Sequence, residues 1–175
     1  MSLQEALEDF RFIENLPGQK IILKGNHDYW WGTKKKMDDF FEKNKLKTIK
    51  ILHNNAYRVG NIAICGTRGW FFDNEKEEDK KVVSREAQRL QKSIECGRAL
   101  GGEIVVFLHY PPISIQQKCD EIYDVLRSEG IKRCYYGHLH GQAHYMAFND
   151  VCDGIKFSLI SGDFLEFCPK LVQID

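Results

Sequence analysis

The sequence predicts a mixed α/β sandwich, and its 175 residues suit a single domain over residues 1–175. Helices and strands alternate early in the chain and short strands dominate later, which favours a sandwich over a barrel. Three predicted strands also end in polar clusters, at the carboxyl edge where α/β sheets place ligand sites. These clusters are Asn26-His27-Asp28, His109, and His138 with His140.

The first half of the chain begins with a helix that ends at Pro17-Gly18. Apolar residues recur there at helical spacing: Leu3, Leu7, Phe10, Ile13 and Leu16. An apolar strand over 20–23 runs directly into residues 24–28. A second helix is predicted over 34–45. Strands follow at 48–52, 56–59 and 61–65, and turns at Asn54-Asn55 and Gly60-Asn61 indicate a hairpin or meander.

The second half begins with a loop over 66–70 and a highly charged, exposed stretch over 73–81. A long helix over 80–100 ends at Gly101-Gly102. The continuous apolar run at 103–108 is typical of a buried strand. The remaining predicted elements are a helix at 120–128 and strands at 132–136, 144–148, 156–161 and 171–174.

The overall charge gives no case for a nucleic-acid or anionic-membrane partner, since 25 Lys and Arg balance 25 Asp and Glu. The run Lys34-Lys35-Lys36 is read as a solvated helix start, with a local basic patch as the alternative. Six cysteines without a C-x-x-C pair indicate reduced thiols rather than a zinc knot. No signal peptide or membrane span is found in the sequence, so we expect a cytoplasmic protein.

Two of the polar clusters consist of histidines that could ligate a metal. His138 and His140 are two residues apart between Gly137 and Gly141, so both imidazoles can converge on one metal or on neighbouring metals. His109 ends a buried strand, and the following Pro111-Pro112 restricts its direction. Taken singly, each motif also fits a structural histidine, in a polar loop or hydrogen-bonded to backbone.

The third cluster, Asn26-His27-Asp28, contains three different chemical groups. The amide oxygen of Asn26 is a neutral, hard metal ligand, and His27 is suited to protonate a leaving oxygen. Asp28 is placed to fix the tautomer of that imidazole. The alternative is an ordinary turn after a strand, because Asn and Asp favour turns.

Together, the Gly-Asn-His-Asp motif, a strand ending in His, and Gly-His-x-His resemble the calcineurin-like metallophosphoesterases in type and order. The resemblance implies a two-sheet β-sandwich flanked by helices and a pair of divalent metals (Mn, Fe, Zn, Ni or Co) that activate water to attack a phosphoester. It assigns Asn26, His109 and His138 to the second metal and His140 to the first. It makes His27 the proton donor or phosphate contact, oriented by Asp28.

The resemblance extends along nearly the whole chain, to an uncharacterised bacterial subgroup of predicted phosphohydrolases. It is carried by Leu-Lys-Gly-Asn-His-Asp-Tyr-Trp-Trp, Gly-Thr-Arg-Gly-Trp and Ser-Gly-Asp-Phe-Leu-Glu-Phe. Arg68 is a candidate phosphate ligand, with a structural surface arginine as the alternative. Tyr29, Trp30, Trp31 and Trp70 are candidates for a substrate-stacking wall, with core packing as the alternative.

The sequence departs from the family at its start, where Asp-x-His and Gly-Asp-x-x-Asp are not found. These motifs supply ligands of the first metal and the bridging carboxylate, so we expect at most one metal and impaired activity. We also expect an incomplete sheet from a shortened start, with a homodimer covering the exposed edge as one alternative. A naturally shortened scaffold is the other.

Three functions stay open. The first is metal-dependent hydrolysis of a phosphomonoester or phosphodiester. The second is a non-catalytic binding scaffold on the same fold. The third is a mononuclear metal-binding remnant. The presence of His27 and Asp28 favours an enzyme ancestry, because a scaffold needs no proton donor.

Overall fold

The computed structural model describes residues 2–70 and 77–172. Within these ranges the chain forms four α-helices: α1 (Leu7–Asn15), α2 (Lys34–Lys43), α3 (Glu77–Leu100) and α4 (Asp120–Ser128). The strands there are β1 (Lys20–Leu23), β2 (Ile49–Leu52), β3 (Ala56–Val59), β4 (Ile62–Thr67), β5 (Glu103–Leu108), β6 (Arg133–Tyr136), β7 (Val151–Cys152) and β8 (Ile155–Leu159). A 3-10 helix covers Gly141–Met146.

The strands form two sheets. The larger has the order β3-β4-β5-β6-β8-β7, and its four central strands run parallel. Its two outer strands, β3 and β7, are antiparallel to their neighbours. The smaller sheet pairs β1 with β2 in parallel, from Lys20 opposite Ile49 to Leu23 opposite Leu52. The predicted mixed α/β fold with two sheets and flanking helices is confirmed.

The smaller sheet packs against α1 and α2. The apolar faces of both helices join this core, through Leu7 and Phe10 of α1 and Met37 and Phe41 of α2. Helix α2 begins after Thr33, whose hydroxyl accepts a hydrogen bond from the Lys36 N–H at 3.3 Å. This capping contact satisfies one of the free donors of the first turn.

The main core lies between the larger sheet and α3 and α4. It contains alternate residues of the central strands, as expected from the two-residue period of a strand. Helix α3 lies very close to β4, since a Cβ added at Gly97 would lie 2.3 Å from the Cys65 sulfur. Glycine at this position therefore sets how closely the helix approaches the sheet.

The other face of the larger sheet is turned towards the smaller sheet. Between them lies a cavity of about 320 Å³, lined by residues such as Ile21, Leu52, Ile64 and Phe107. The two sheets are thus separated by apolar space near the carboxyl ends of β1 and β5.

Most predicted elements are found with bounds shifted by a few residues, and strands 20–23, 56–59 and 103–108 are found as predicted. The hairpin is confirmed as β3 and β4, while Asn54-Asn55 instead connects the two sheets. The predicted loop at 66–70 is wrong for its first two residues. Gly66 and Thr67 extend β4 because they pair with Phe107 and Leu108 of β5.

The predicted strand at 144–148 is wrong, because residues 141–146 form the 3-10 helix instead. Its start is fixed by a remote side chain, since the Asp163 carboxylate accepts a hydrogen bond from the Gly141 N–H at 2.9 Å. The predicted strand at 171–174 is not formed at Leu171 and Val172, and its last two residues lie outside the described ranges. Residues 73–76 of the charged stretch 73–81 also lie outside the described ranges.

All six cysteines are unpaired, in agreement with the prediction of free thiols. In the described ranges, no helix combines the length and the apolar character that crossing a membrane requires.

Candidate metal centre

Three strand ends bring the predicted cluster together. Strands β5 and β6 are parallel neighbours, so the residues that follow them, His109 and Gly137, lie side by side. The Gly137 N–H donates to the His109 carbonyl at 3.2 Å. The loop after β1 reaches the same place from the smaller sheet. Side chains far apart in sequence therefore meet at one carboxyl edge, as predicted.

The central contact joins His109 and Asn26. The Nε2 atom of His109 lies 2.7 Å from the Oδ1 atom of Asn26, across 83 residues of sequence. The ring of His138 lies beside that of His109, with 5.1 Å between their centroids. His138 has a positive φ of 72°, an uncommon conformation for a residue with a side chain, which is often found at functional sites.

These side chains line a cavity of about 350 Å³, which we call the histidine cavity. Its lining residues are Leu23, Gly25, Asn26, His27, Asp28, His109, His138 and His140. All six residues predicted for catalysis or metal binding are among them.

The imidazole of His109 is held in its neutral form. Burial is the main reason that its pKa is lowered to about 4, and the nearby His138, Arg68, His140 and His27 act in the same direction. A neutral imidazole nitrogen is the form that binds a divalent cation. At neutral pH the ring is therefore neutral. Because an amide oxygen only accepts, Nε2 is the donor in the contact with Asn26, and binding a cation at Nε2 requires this proton to move to Nδ1.

Asp28 and His27 do not form the pair that the resemblance implies. The Asp28 carboxylate accepts a hydrogen bond from the Gly25 N–H at 2.6 Å, which closes the turn that presents Asn26. The Nδ1 atom of His27 instead lies 3.3 Å from the Tyr29 hydroxyl, and His27 is exposed. In this structure Asp28 positions the loop rather than the imidazole.

His140 is anchored by a residue that sequence reasoning missed. Its Nδ1 atom lies 2.8 Å from Oδ1 of Asp163, whose Oδ2 accepts the hydrogen bond from Gly141. The hydrogen bond from Gly141 is the main cause that holds the pKa of Asp163 well below its usual range. A hydrogen bond with His140 and the charges of His140 and His144 lower this pKa further. The carboxylate leaves Nε2 of His140 available for other contacts.

A sequence signal for Asp163 did exist. It follows β8 by four residues, and β8 is the next parallel strand beside β6. The rule that located the other clusters therefore applies to it as well. His144 also lies near this carboxylate, with Nε2 at 3.2 Å from Oδ2, but without the geometry of a hydrogen bond.

The three predicted substrate contacts lie in different environments. The Arg68 guanidinium lies over the Trp70 ring at 4.9 Å and near Tyr110 at 5.9 Å. Trp70 is half-buried against the main core. Tyr29 is 78% exposed, whereas Trp30 and Trp31 pack into the core beneath the smaller sheet. The four aromatic residues do not form one wall.

The donor set suits one divalent cation. In the described ranges, no three His, Cys, Asp or Glu side chains converge as metal ligands, so the set depends on the Asn26 amide oxygen beside two imidazoles. Two ligands of one octahedral ion, each at about 2.1 Å, lie roughly 3 Å apart. The 2.7 Å between His109 and Asn26 is close to that separation.

Comparisons with known proteins agree with the family resemblance and the fold. A family model described as calcineurin-like phosphoesterase matches residues 2–142. A solved structure has the same fold, with a TM-score of 0.53 and 14% identity, over 86% of this chain. The match spans 60% of that solved chain. A search of the curated proteins found no match.

Proposed function

Because the chain belongs to the calcineurin-like phosphoesterase family, we propose that it is a metal-dependent phosphoesterase whose reaction takes place in the histidine cavity. The proposed substrate is a phosphomonoester or phosphodiester. We propose one cation, bound by Asn26, His109 and His138, drawn from Mn, Fe, Zn, Ni and Co.

The observation that carries this proposal is the contact between Asn26 and His109. An amide oxygen and a neutral imidazole nitrogen lie 2.7 Å apart, in a cavity that His138 also lines. Imidazole ligands suit these transition metals, and an amide oxygen completes a neutral set of three. With no carboxylate in the set, its affinity should be modest, and we expect metal exchange to be rapid.

A divalent cation would polarise the phosphoryl oxygens and lower the pKa of an attacking water. The chain's own residues would do the rest. His27 is exposed at the rim of the cavity and would protonate the leaving oxygen. Asp28 holds the loop that carries Asn26 and His27. Arg68, whose carbonyl accepts a hydrogen bond from the His109 N–H, would bind a phosphate oxygen of the substrate beside the histidine cavity.

His140 lines the same cavity. Its link to Asp163 fixes the direction of the imidazole, so that the lone pair of Nε2 is free. We propose that His140 contacts the substrate or a second, weaker cation rather than the main one.

The test is metal analysis combined with hydrolysis of p-nitrophenyl phosphate and bis(p-nitrophenyl) phosphate, with Mn²⁺ added in steps. The Asn26→Ala and His109→Ala variants should each weaken metal binding by more than about 100-fold. Loss of a residue that only hydrogen-bonds to a metal ligand typically costs about 10–100-fold. His27→Ala should keep the metal and lose hydrolysis of propyl phosphate far more than of the p-nitrophenyl esters, because p-nitrophenolate leaves without being protonated. Asn61→Ala, an exposed asparagine away from the cavity, is the matched control.

Each other outcome contradicts the proposal in a distinct way. Tight metal binding with no hydrolysis of either ester would indicate a mononuclear metal-binding module. Neither metal nor hydrolysis would indicate a non-catalytic scaffold. Hydrolysis that persists in Asn26→Ala and His109→Ala would place the reaction elsewhere.

A further inference from the structure

A second cavity lies next to the histidine cavity and has a different chemical character. Its volume is about 330 Å³, and Leu23 lines both cavities. It is enclosed by the ends of β1, β2 and β4, the start of α2 and one face of α3. We call it the basic cavity after its charged lining residues, Lys24, Lys34, His53, Arg68, Arg89 and Glu86.

The charges of this lining do not balance. The lining contains four permanent cations and one carboxylate, although the chain as a whole is neutral, and one of the four, Lys34, also pairs with Asp38 outside the lining. The carboxylate, Glu86, is buried and already accepts hydrogen bonds from Thr67 and Arg89. Lys24 and Arg68 have no carboxylate partner among the residues that the structure describes. The cavity therefore carries a local positive charge that an anion would neutralise.

Helix α2 adds to this positive charge. Its first turn contains three lysines and no acidic residue, although the helix dipole favours acidic residues at that end. Lys34 faces the basic cavity, while the neighbouring Lys35 points to solvent with its side chain 83% exposed. Lysines in the first turn are unfavourable for the isolated helix, but they become favourable once an anion binds beside that turn.

Three of the cations of the basic cavity act together on the imidazole of His53. Burial and then the charges of Arg89, Lys34 and Lys24 lower the pKa of His53, while Glu86 acts in the opposite direction. At neutral pH the imidazole is thus available to donate or accept a hydrogen bond without adding charge.

Residues that line the basic cavity are connected through the main chain to residues that line the histidine cavity. Lys24 directly precedes Gly25 of the Gly-Asn-His-Asp motif. The Arg68 carbonyl accepts hydrogen bonds from the N–H groups of His109 and Tyr110, at 3.2 and 2.9 Å. The two cavities are therefore direct neighbours, as a substrate with two phosphate groups would require.

We infer that the basic cavity is an oxyanion site that binds a second phosphate group of the substrate. The role of this site in substrate binding rests on the proposed function. It narrows the proposed substrates to molecules with two phosphate groups. One phosphate is hydrolysed in the histidine cavity, and the other is held by Lys24, Lys34 and Arg68. Anion binding itself depends only on the basic cavity.

Binding is tested first, without metal or turnover. Pyrophosphate is titrated by calorimetry into the full chain in EDTA. Lys24→Gln and Lys34→Gln should each weaken binding at least tenfold. Lys35→Gln is the matched control, because Lys34 and Lys35 each pair with an aspartate four residues on, and only Lys34 lines the cavity. Binding should change less than twofold in Lys35→Gln and in His109→Ala.

Several results would overturn the inference. They are no pyrophosphate binding by the unmodified chain, equal losses in Lys34→Gln and Lys35→Gln, or loss in His109→Ala with retention in the lysine variants. Thermal unfolding of each variant shows whether a loss of binding reflects loss of the fold.

The substrate role is tested with propane-1,3-diyl bisphosphate against propyl phosphate. The bisphosphate should have a KM at least tenfold lower, and Lys34→Gln should remove that difference with little change in kcat. A similar KM for both esters would overturn the substrate role. If neither ester is hydrolysed while the pyrophosphate pattern holds, the proposed function fails and the oxyanion site stands.

Discussion

The hydrogen bond between Thr67 and Glu86 joins β4 to α3 beside the basic cavity. Its removal tests how much this contact stabilises the packing of α3 on β4. The Thr67 hydroxyl donates to Oε2 of Glu86 at 2.6 Å, and both side chains are buried, at 4% and 1% exposure. Thr67→Val keeps the shape of the side chain and removes the donor. Glu86 then retains Arg89 but loses its other side-chain partner.

The expected magnitude follows from the charge of the acceptor. A hydrogen bond to a charged group contributes about 1.5–3 kcal/mol. We therefore expect the free energy of unfolding at pH 7 to fall by that amount. For a domain of this size, roughly 2–4 °C of Tm corresponds to 1 kcal/mol, so Tm should fall by about 3–12 °C.

The assay is urea denaturation of four proteins: the unmodified chain, Thr67→Val, Glu86→Leu, which has no side-chain acceptor, and the double variant. Contacting groups in one network show coupling energies of about 0.5–3 kcal/mol. A coupling below about 0.5 kcal/mol would refute the reasoning. Thr48→Val is a useful comparison, since Thr48 donates to Glu14 at 2.8 Å in a half-exposed position and should matter less.

Two further predictions concern the histidine cavity. Asp163→Ala should weaken Mn²⁺-dependent activity about 10–100-fold, because it frees His140 and the Gly141 N–H. Asp163→Asn should recover part of the loss, because an amide oxygen still accepts a hydrogen bond. Equal activity of the unmodified chain and both variants over an Mn²⁺ titration would show that Asp163 does not act on the site. The pKa of His109 is lowered to about 4, so the unfolded chain gains a proton near pH 6.5 that the folded chain does not, and the free energy of unfolding should fall as the pH drops from about 6.5 to 4. Urea denaturation at pH 7, 5.5 and 4.5 should show a smaller fall for His109→Gln, and an unchanged slope would argue against the buried neutral imidazole.

The sequence located the histidine cavity well because its residues follow strands that are readable locally. The apolar run before His109 and the short strand before Asn26 each identify a buried strand, and parallel strands end at a common edge. The positions of Asn26, His109 and His138 were predicted on this basis. Their 2.7 Å and 5.1 Å separations were not, because a distance depends on how the two sheets pack.

Residues whose partners lie far along the chain were less predictable. The segment at 144–148 looks like a strand by composition, yet the Asp163 carboxylate binds the Gly141 N–H and a 3-10 helix forms. Asp28 differs for a local reason: it was expected to orient His27, but its carboxylate accepts a hydrogen bond from the Gly25 N–H three residues earlier and closes its own turn. Local propensity is weak in such segments, so tertiary contacts decide the conformation.

The sequence by itself determined the family and the order of most elements, because these depend on short-range patterns and on motif order, and it supplied the residues proposed as metal ligands. Only the tertiary structure decided which residues act together. Lys34 and Lys35 are indistinguishable as sequence, both in a lysine run at a helix start, yet one faces the basic cavity and the other faces solvent. The local positive charge of that cavity arises because β1, β2, β4, α2 and α3 bring Lys24, Arg68 and Arg89 beside Lys34, and no window of sequence contains that convergence.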